Sequence, residues 1–240
     1  MEEKAGVIII PDVHGREFWR HAVEGLDEDT HVVFLGDYMD PYEDDWIYWS
    51  DAFKGLQDII AFKNAHPGQV TLLYGNHDLH YLFPSLKGSR YNPYQAERLK
   101  TVFTENAEAF QMAFEHRMDG RRFLFTHAGV SREWLAAHRT LFGYADEITA
   151  DTFNRLAFTE NFIESLADVS SWRGGSARAG SMIWADVREF EWPGAALPGI
   201  TQIFGHTRLP GDPKIMDGAW CLDCQRAFSL NGKGEIKEFN

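Results

Sequence analysis

The sequence predicts a layered α/β fold, and two observations carry that expectation. Short apolar runs end abruptly in polar clusters beside glycine, and stretches with helical spacing of apolar residues lie between them. Residues 7–10 run into Pro11-Asp12-Val13-His14-Gly15, 32–35 into Gly36-Asp37, and 70–74 into Gly75-Asn76-His77-Asp78. Further along, 123–125 run into Thr126-His127-Ala128-Gly129, and 200–204 into Gly205-His206-Thr207. Continuous β-branched or aromatic runs fit strands covered on both faces.

Each element has its own signal. Runs at 219–222, 227–230 and 235–239 read as later strands, with a tight turn at Asn231-Gly232-Lys233-Gly234. A helix over 47–64 stops before His66-Pro67-Gly68. Asn92-Pro93 resembles an N-cap with proline at the first helical position, opening a helix to about His116. Ser131 caps a helix over 132–138, and Thr149 or Asp151 opens one towards Leu166. Residues 170–181, with Arg173, Gly174, Gly175 and Arg178, read as an irregular loop. The alternation implies one domain over residues 1–240, with helical excursions at about 78–119 and 131–168.

Bulk properties narrow the function. A chain of 240 residues, 44% hydrophobic and 25% charged, is long enough to bury a sizeable core. With 23 Lys+Arg against 36 Asp+Glu, the formal charge is −13, which repels nucleic-acid backbones and anionic membranes and disfavours a nuclease. The N-terminus lacks a basic targeting region, and no window approaches the ~20 apolar residues of a membrane span. A soluble, cytoplasmic protein is expected. Cys221 and Cys224 form a lone Cys-x-x-Cys without a second pair or a thioredoxin-like helix start, so they read as structural residues of a strand.

The polar clusters carry the chemistry. In an α/β sheet the loops leaving the carboxyl ends of strands form the ligand crevice. Five such ends here hold Asp, His or Asn, residue types suited to Mn, Fe or Zn. One such cluster is an ordinary turn. Five in succession need partners for their carboxylates and imidazoles, and shared metal ions supply them.

The series Asp12-x-His14, Gly36-Asp37-x-x-Asp40, Gly75-Asn76-His77-Asp78, Thr126-His127-Ala128-Gly129 and Gly205-His206-Thr207 resembles the calcineurin-like metallophosphoesterase superfamily, from residue 7 to about 224. The resemblance implies a four-layer α/β/β/α sandwich and a metal-dependent phosphoesterase. The details are similar to the phosphoprotein-phosphatase branch, which includes diadenosine-tetraphosphate hydrolases. Asp40 matches that branch's second aspartate, and Arg208 stands where many other members have a second histidine. Ile183-Trp184-Ala185-Asp186 and Leu222-Asp223-Cys224 are similar to its later segments.

By position, the resemblance assigns Asp12, His14 and Asp37 to one metal, with Asp37 bridging to a second held by Asn76, His127 and His206. Two ions are implied, Mn2+ foremost with Fe and Zn as alternatives, together with a bridging hydroxide that attacks phosphorus in line. His77 is then the general acid, and Asp40 orients its imidazole. The expected substrate is a phosphomonoester, either a phosphoprotein or a small phosphate ester. The alternative is a dinucleoside polyphosphate. A phosphodiesterase and a non-catalytic scaffold are less favoured, the latter because all six ligands and His77 are present.

The sequence also departs from the pattern. Pro41-Tyr42 replaces the Arg-Gly of Ser/Thr phosphatases, removing an arginine whose fork grips phosphate. Arg173, Arg178 and Arg90 are the candidate replacements, Arg173 favoured by its flanking glycines. Tyr42, Trp46, Tyr48 and Trp49 read first as helix and core aromatics, and second as a stacking platform at the cleft rim. Glu43-Asp44-Asp45 reads as a solvated turn, Asp78 as a helix cap, and His80 as packing or surface.

Overall fold

The computed structural model describes residues 5–239. The strands are β1 (Ala5–Ile10), β2 (His31–Phe34), β3 (Val70–Leu73), β4 (Phe110–Gln111), β5 (Ala113–Met118), β6 (Arg121–Thr126), β7 (Thr201–Phe204), β8 (Lys214–Met216), β9 (Ala219–Cys221), β10 (Phe228–Asn231) and β11 (Ile236–Glu238). The helices are α1 (Phe18–Ala22), α2 (Trp49–Ala65), α3 (Asn76–Leu82), α4 (Ala96–Glu105), α5 (Arg132–Ala137), α6 (Arg139–Phe142), α7 (Ala150–Leu156) and α8 (Glu160–Leu166). The fold is α/β, with two mixed sheets flanked by helices. The chain divides into a first unit that ends at Gln111 and resumes at Gln225, and a second unit, Met112–Cys224. No helix of the described residues is long and apolar enough to cross a membrane.

The first unit holds a six-stranded sheet in the order β11-β10-β1-β2-β3-β4. Strands β1 to β4 are parallel, and β10 closes antiparallel on β1. Val7, Ile9, Ile10, Val33, Phe34, Leu72 and Leu73 are fully buried, which is why these runs show no polar alternation. The parallel direction brings the carboxyl ends of β1, β2 and β3 to one edge of this sheet. Helix α2 buries Ala52, Phe53, Leu56, Ile59 and Ile60, a face with helical spacing.

The second unit holds a five-stranded sheet in the order β5-β6-β7-β9-β8. Its parallel trio β6, β7 and β9 again ends in a common direction. Phe190 and Phe204 pack together with Ala128, Val187, Ala219 and Cys221. Trp134, Phe142, Phe153 and Phe162 tie α5, α6, α7 and α8 into a separate aromatic core. Ser131 caps α5 as expected, its Oγ accepting the Trp134 N–H at 3.1 Å.

Three expectations are corrected. The helix expected from 92 to about 116 is only α4; beyond it the chain forms β4 and β5. The reason is the Asp119-Gly120 turn, whose φ angles of 49° and 71° make a two-residue hairpin that pairs β5 with β6. The helix expected up to Leu166 is two, α7 and α8, separated where Phe158 takes a φ of 67°. Trp46 and Tyr48 are not core residues: they are 89% and 77% exposed, and α2 begins only after them. Cys221 and Cys224 are buried and unbridged.

Candidate metal centre

Asp12, His14, Asp37, Asp40, Asn76 and His77 all follow directly on β1, β2 and β3 and are all buried. The turns that carry them are tight. Among the described residues nine other than glycine have positive φ, and His14, Asp37, Asp40, Arg90 and His206 are five of them. Such conformations cost free energy and persist where surrounding contacts over-determine them, often at functional sites. Here the contacts are visible. The His14 and Gly15 N–H groups donate to the Asp37 and Tyr38 carbonyls at 2.7 and 3.0 Å, locking the first turn to the second.

The second and third turns are held by Asp78. Its carboxylate accepts the N–H groups of Asp37, Tyr38 and Gly75 at 2.8, 3.1 and 2.7 Å. It therefore caps α3 as expected and also fixes the turn that bears Asp37. The approach is close enough to require glycine: a Cβ on Gly75 would lie 2.1 Å from Asp37 Oδ1.

These constraints set the donor atoms. Asp37 Oδ1 accepts the His77 N–H at 2.9 Å, while Oδ2 faces His14 Nε2 at 3.4 Å. His14 Nδ1 donates to the Met39 carbonyl at 2.7 Å, which fixes the tautomer and presents the Nε2 lone pair. Asp12 Oδ2 lies 4.0 Å from that nitrogen. Burial drives the His14 pKa down to about 3, outweighing the attraction of Asp37. The imidazole is thus neutral at working pH, the form that binds a metal ion. One ligand atom each from Asp12, His14 and Asp37 lies within 4.8 Å of the others, a set of carboxylate and imidazole donors that fits a divalent cation.

Beside this set is a second constellation. His77 Nδ1 donates to Asp40 Oδ2 at 2.9 Å, and His80 Nε2 lies 2.9 Å from the same oxygen. Tyr81 donates its hydroxyl to Asp40 Oδ1. Burial pushes the Asp40 carboxyl up, but the bonds from His77, His80 and Tyr81 together hold it below its usual value. The sequence reading missed His80 and Tyr81. Their signal was position: residues three and four after His77 lie on the same helical face.

In the second unit, His127 follows β6 and His206 follows β7, and both are buried. His127 Nε2 and His206 Nδ1 are 3.1 Å apart, a separation at which two imidazole nitrogens suit one cation. The His127 carbonyl accepts the Gly205 N–H at 2.8 Å, tying the two loops together. Gln202 pairs both amide atoms with the Val130 backbone and fixes the segment after His127. The edge of Trp184 supports the His206 ring.

The three candidate arginines fall in different places. Arg90 Nη2 donates to His77 Nε2 at 2.9 Å and lies 3.5 Å from His14 Nε2. Arg173 Nη2 donates to Thr207 Oγ1 at 2.7 Å, beside His206, and its Nε is 3.4 Å from Asp186. Burial raises the Asp186 pKa, but Arg188 and Arg173 outweigh it and hold the carboxyl below its usual range. Arg178 is 87% exposed and pairs with Glu133 on α5, so it does not join the His127–His206 pair.

Comparison with known proteins agrees with this geometry. The profile of the calcineurin-like phosphoesterase family matches residues 6–207. No curated protein matches the sequence. Among solved structures, a cold-active protein-tyrosine phosphatase of a psychrophilic Shewanella has 16% identity and a TM-score of 0.57, covering 98% of this chain and 80% of that one. A protein serine/threonine phosphatase from Saccharomyces cerevisiae has 15% identity and a TM-score of 0.55, covering 98% and 79%. A structure described as a putative diadenosine tetraphosphatase has 16% identity and a TM-score of 0.50, covering 97% and 92%. At these identities the likeness is one of fold. The family profile spans most of the sequence and includes each strand-end turn described above, so the chain belongs to the calcineurin-like phosphoesterases, a family of metal-dependent hydrolases.

Proposed function

We propose that the protein is a phosphatase acting on phosphomonoesters, with two metal ions held by Asp12, His14, Asp37, Asn76, His127 and His206 in a single metallophosphoesterase domain. When bound, the ions supply Lewis acidity at the phosphoryl oxygens and water acidic enough to attack phosphorus near neutral pH. The chain's own residues do the rest. Asp37 offers one oxygen towards His14 Nε2 while the other is anchored by the His77 N–H, so the carboxylate cannot rotate out of place. His77, held by Asp40 through Nδ1, has its Nε2 to deliver a proton to the departing oxygen. Asp40 stabilises the charge on the imidazole when that proton is present.

The observation that supports this reading most is the His77–Asp40 pair beside the Asp12–His14–Asp37 set. The His14 and His77 ring centroids are 5.2 Å apart, so the proton donor and the metal-binding donors face one small volume of the first unit. A dinucleoside polyphosphate is the second reading, and Trp46 favours it. Its exposed ring, on a residue with a φ of 54°, borders an open surface depression of about 500 Å³ together with Gly15 and Arg16, the two residues after His14 in sequence.

The test is a substrate panel on protein stripped with chelator and reloaded with Mn2+. It holds p-nitrophenyl phosphate, its bis-ester, phosphoserine, phosphothreonine and phosphotyrosine peptides, and diadenosine tetraphosphate. Metal-dependent turnover of the monoesters is expected, with kcat reduced about 10²- to 10⁴-fold in His77→Ala. Diadenosine tetraphosphate as the best substrate selects the second reading. No turnover on any member, with metal bound, rejects both.

A further inference from the structure

Where the family pattern has arginine after Asp40, this chain has Pro41, yet a guanidinium still stands at the same turn. It belongs to Arg90, which reaches it from the segment between α3 and α4. Arg90 Nη1 donates to the Asp40 carbonyl, and Nη2 donates to His77 Nε2 at 2.9 Å. The guanidinium carbon lies 3.7 Å from the centroid of the Tyr42 ring, a stacked cation–π contact. Tyr42 in turn sets its edge against His14, with ring centroids 4.9 Å apart.

Arg90 is built into this position. Its φ is 61°, which an arginine adopts only when neighbouring contacts compel it. Tyr91 supplies the compulsion: its ring stacks on Tyr81 of α3 at 5.2 Å and meets His80 edge-on. The Asn92 N–H donates to the Tyr81 hydroxyl at 3.3 Å. The segment carrying Arg90 is therefore pinned to the helix that carries His77.

We infer that Arg90, seated on Tyr42, is the residue that grips the phosphoryl group and makes the site select terminal phosphomonoesters over diesters. The inference rests on the phosphoesterase reading above. A lone pair on His77 Nε2 is a weaker acceptor than two anionic phosphoryl oxygens, which match the planar fork of a guanidinium. An entering phosphoryl group draws the guanidinium from Nε2 onto its own oxygens; the freed lone pair then takes up a proton from solvent, which Nε2 passes on to the leaving group. A terminal phosphate presents more charge and one more non-bridging oxygen than a diester. Pro41-Tyr42 in place of Arg-Gly thus leaves the turn without a local arginine but gives it a ring that seats a distant one.

The experiment compares Arg90→Ala, Arg90→Lys, Tyr42→Leu and Tyr42→Phe on Mn2+-loaded protein. Binding of inorganic phosphate is followed by calorimetry, and kcat/KM is measured on p-nitrophenyl phosphate and its bis-ester. Arg90→Ala is expected to weaken phosphate binding and lower monoester kcat/KM by about 10- to 100-fold. Diester turnover changes less, so the monoester-to-diester ratio falls. Arg90→Lys recovers part of the loss, and Tyr42→Phe, which keeps the ring, resembles wild type where Tyr42→Leu does not. Unchanged phosphate affinity in Arg90→Ala, or an equal loss on monoester and diester, overturns the inference and leaves the phosphatase reading standing. Wild-type protein without turnover defeats that reading instead, and the phosphate affinities still decide the role of Arg90.

Discussion

At the scale of the residue, His14 shows how burial and geometry prepare a ligand. Its Nδ1–H is committed to a carbonyl, its Nε2 faces two carboxylates, and desolvation takes its pKa from 6.5 to about 3. In the metal-free protein the folded state therefore refuses a proton that the unfolded chain accepts. The folded pKa is the lower one, so the stability this group contributes is complete above about 6.5 and is lost as pH falls from there towards 3. The slope is about 1.4 kcal/mol per pH unit for one proton. Asp40, also held below its usual value, adds to the loss only at lower pH. Urea titrations of chelator-stripped protein between pH 7 and 5 give the check. Wild type is expected to lose stability more steeply than His14→Gln, whose amide does not titrate; parallel slopes contradict the assignment. His77 has a different preparation, with each ring nitrogen engaged by a separate residue, Asp40 and Arg90.

At the scale of the element, the turns after the parallel strands matter more than the strands. Asp78 accepts three backbone N–H groups from two turns and is fully buried, so its removal leaves three buried donors without an acceptor. Asp78→Ala is expected to cost on the order of 3–5 kcal/mol and to release metal, because Asp37 loses its anchor. Thermal melts and metal analysis of the purified variant measure both; a melt within 1–2 °C of wild type with full metal content contradicts it. These turns were legible in the sequence because each apolar run stops abruptly at a polar cluster that holds Asp, Asn or His near a glycine. The α4–β5 region was less legible. Asn92-Pro93 starts a helix in principle, but the Asp119-Gly120 hairpin commits the chain before it to strand, and pairing with β6 outweighs local helix preference. His80 was misread for a related reason. Its spacing from His77 is visible, but that Asp40 would lie opposite that face of α3 follows only from the packing of the β2 turn on the helix.

At the scale of the whole molecule, an acidic chain of formal charge −13 places buried Asp12, Asp37, Asn76, His127 and His206 just after parallel strands in two sheets. The α/β class, the family and the strand-end residues were readable from the sequence, because a run of buried strand followed by a polar turn leaves a local trace. The long-range choices left none. Arg90 reaches His77 from the segment before α4, and Arg178 turns to Glu133, although in sequence both were equal candidates, Arg178 in a loop and Arg90 in the first helical excursion. In the proposed function, six strand-end residues hold two metal ions that the chemistry requires. The most direct test counts Mn2+ per chain by mass spectrometry in wild type and Asp37→Asn, and measures p-nitrophenyl phosphate turnover on the same samples. About two ions per wild-type chain are expected, with turnover that rises as they fill and loss of both in the variant. Turnover that survives chelation, or a wild-type chain that binds no Mn2+ at saturating concentration, contradicts it.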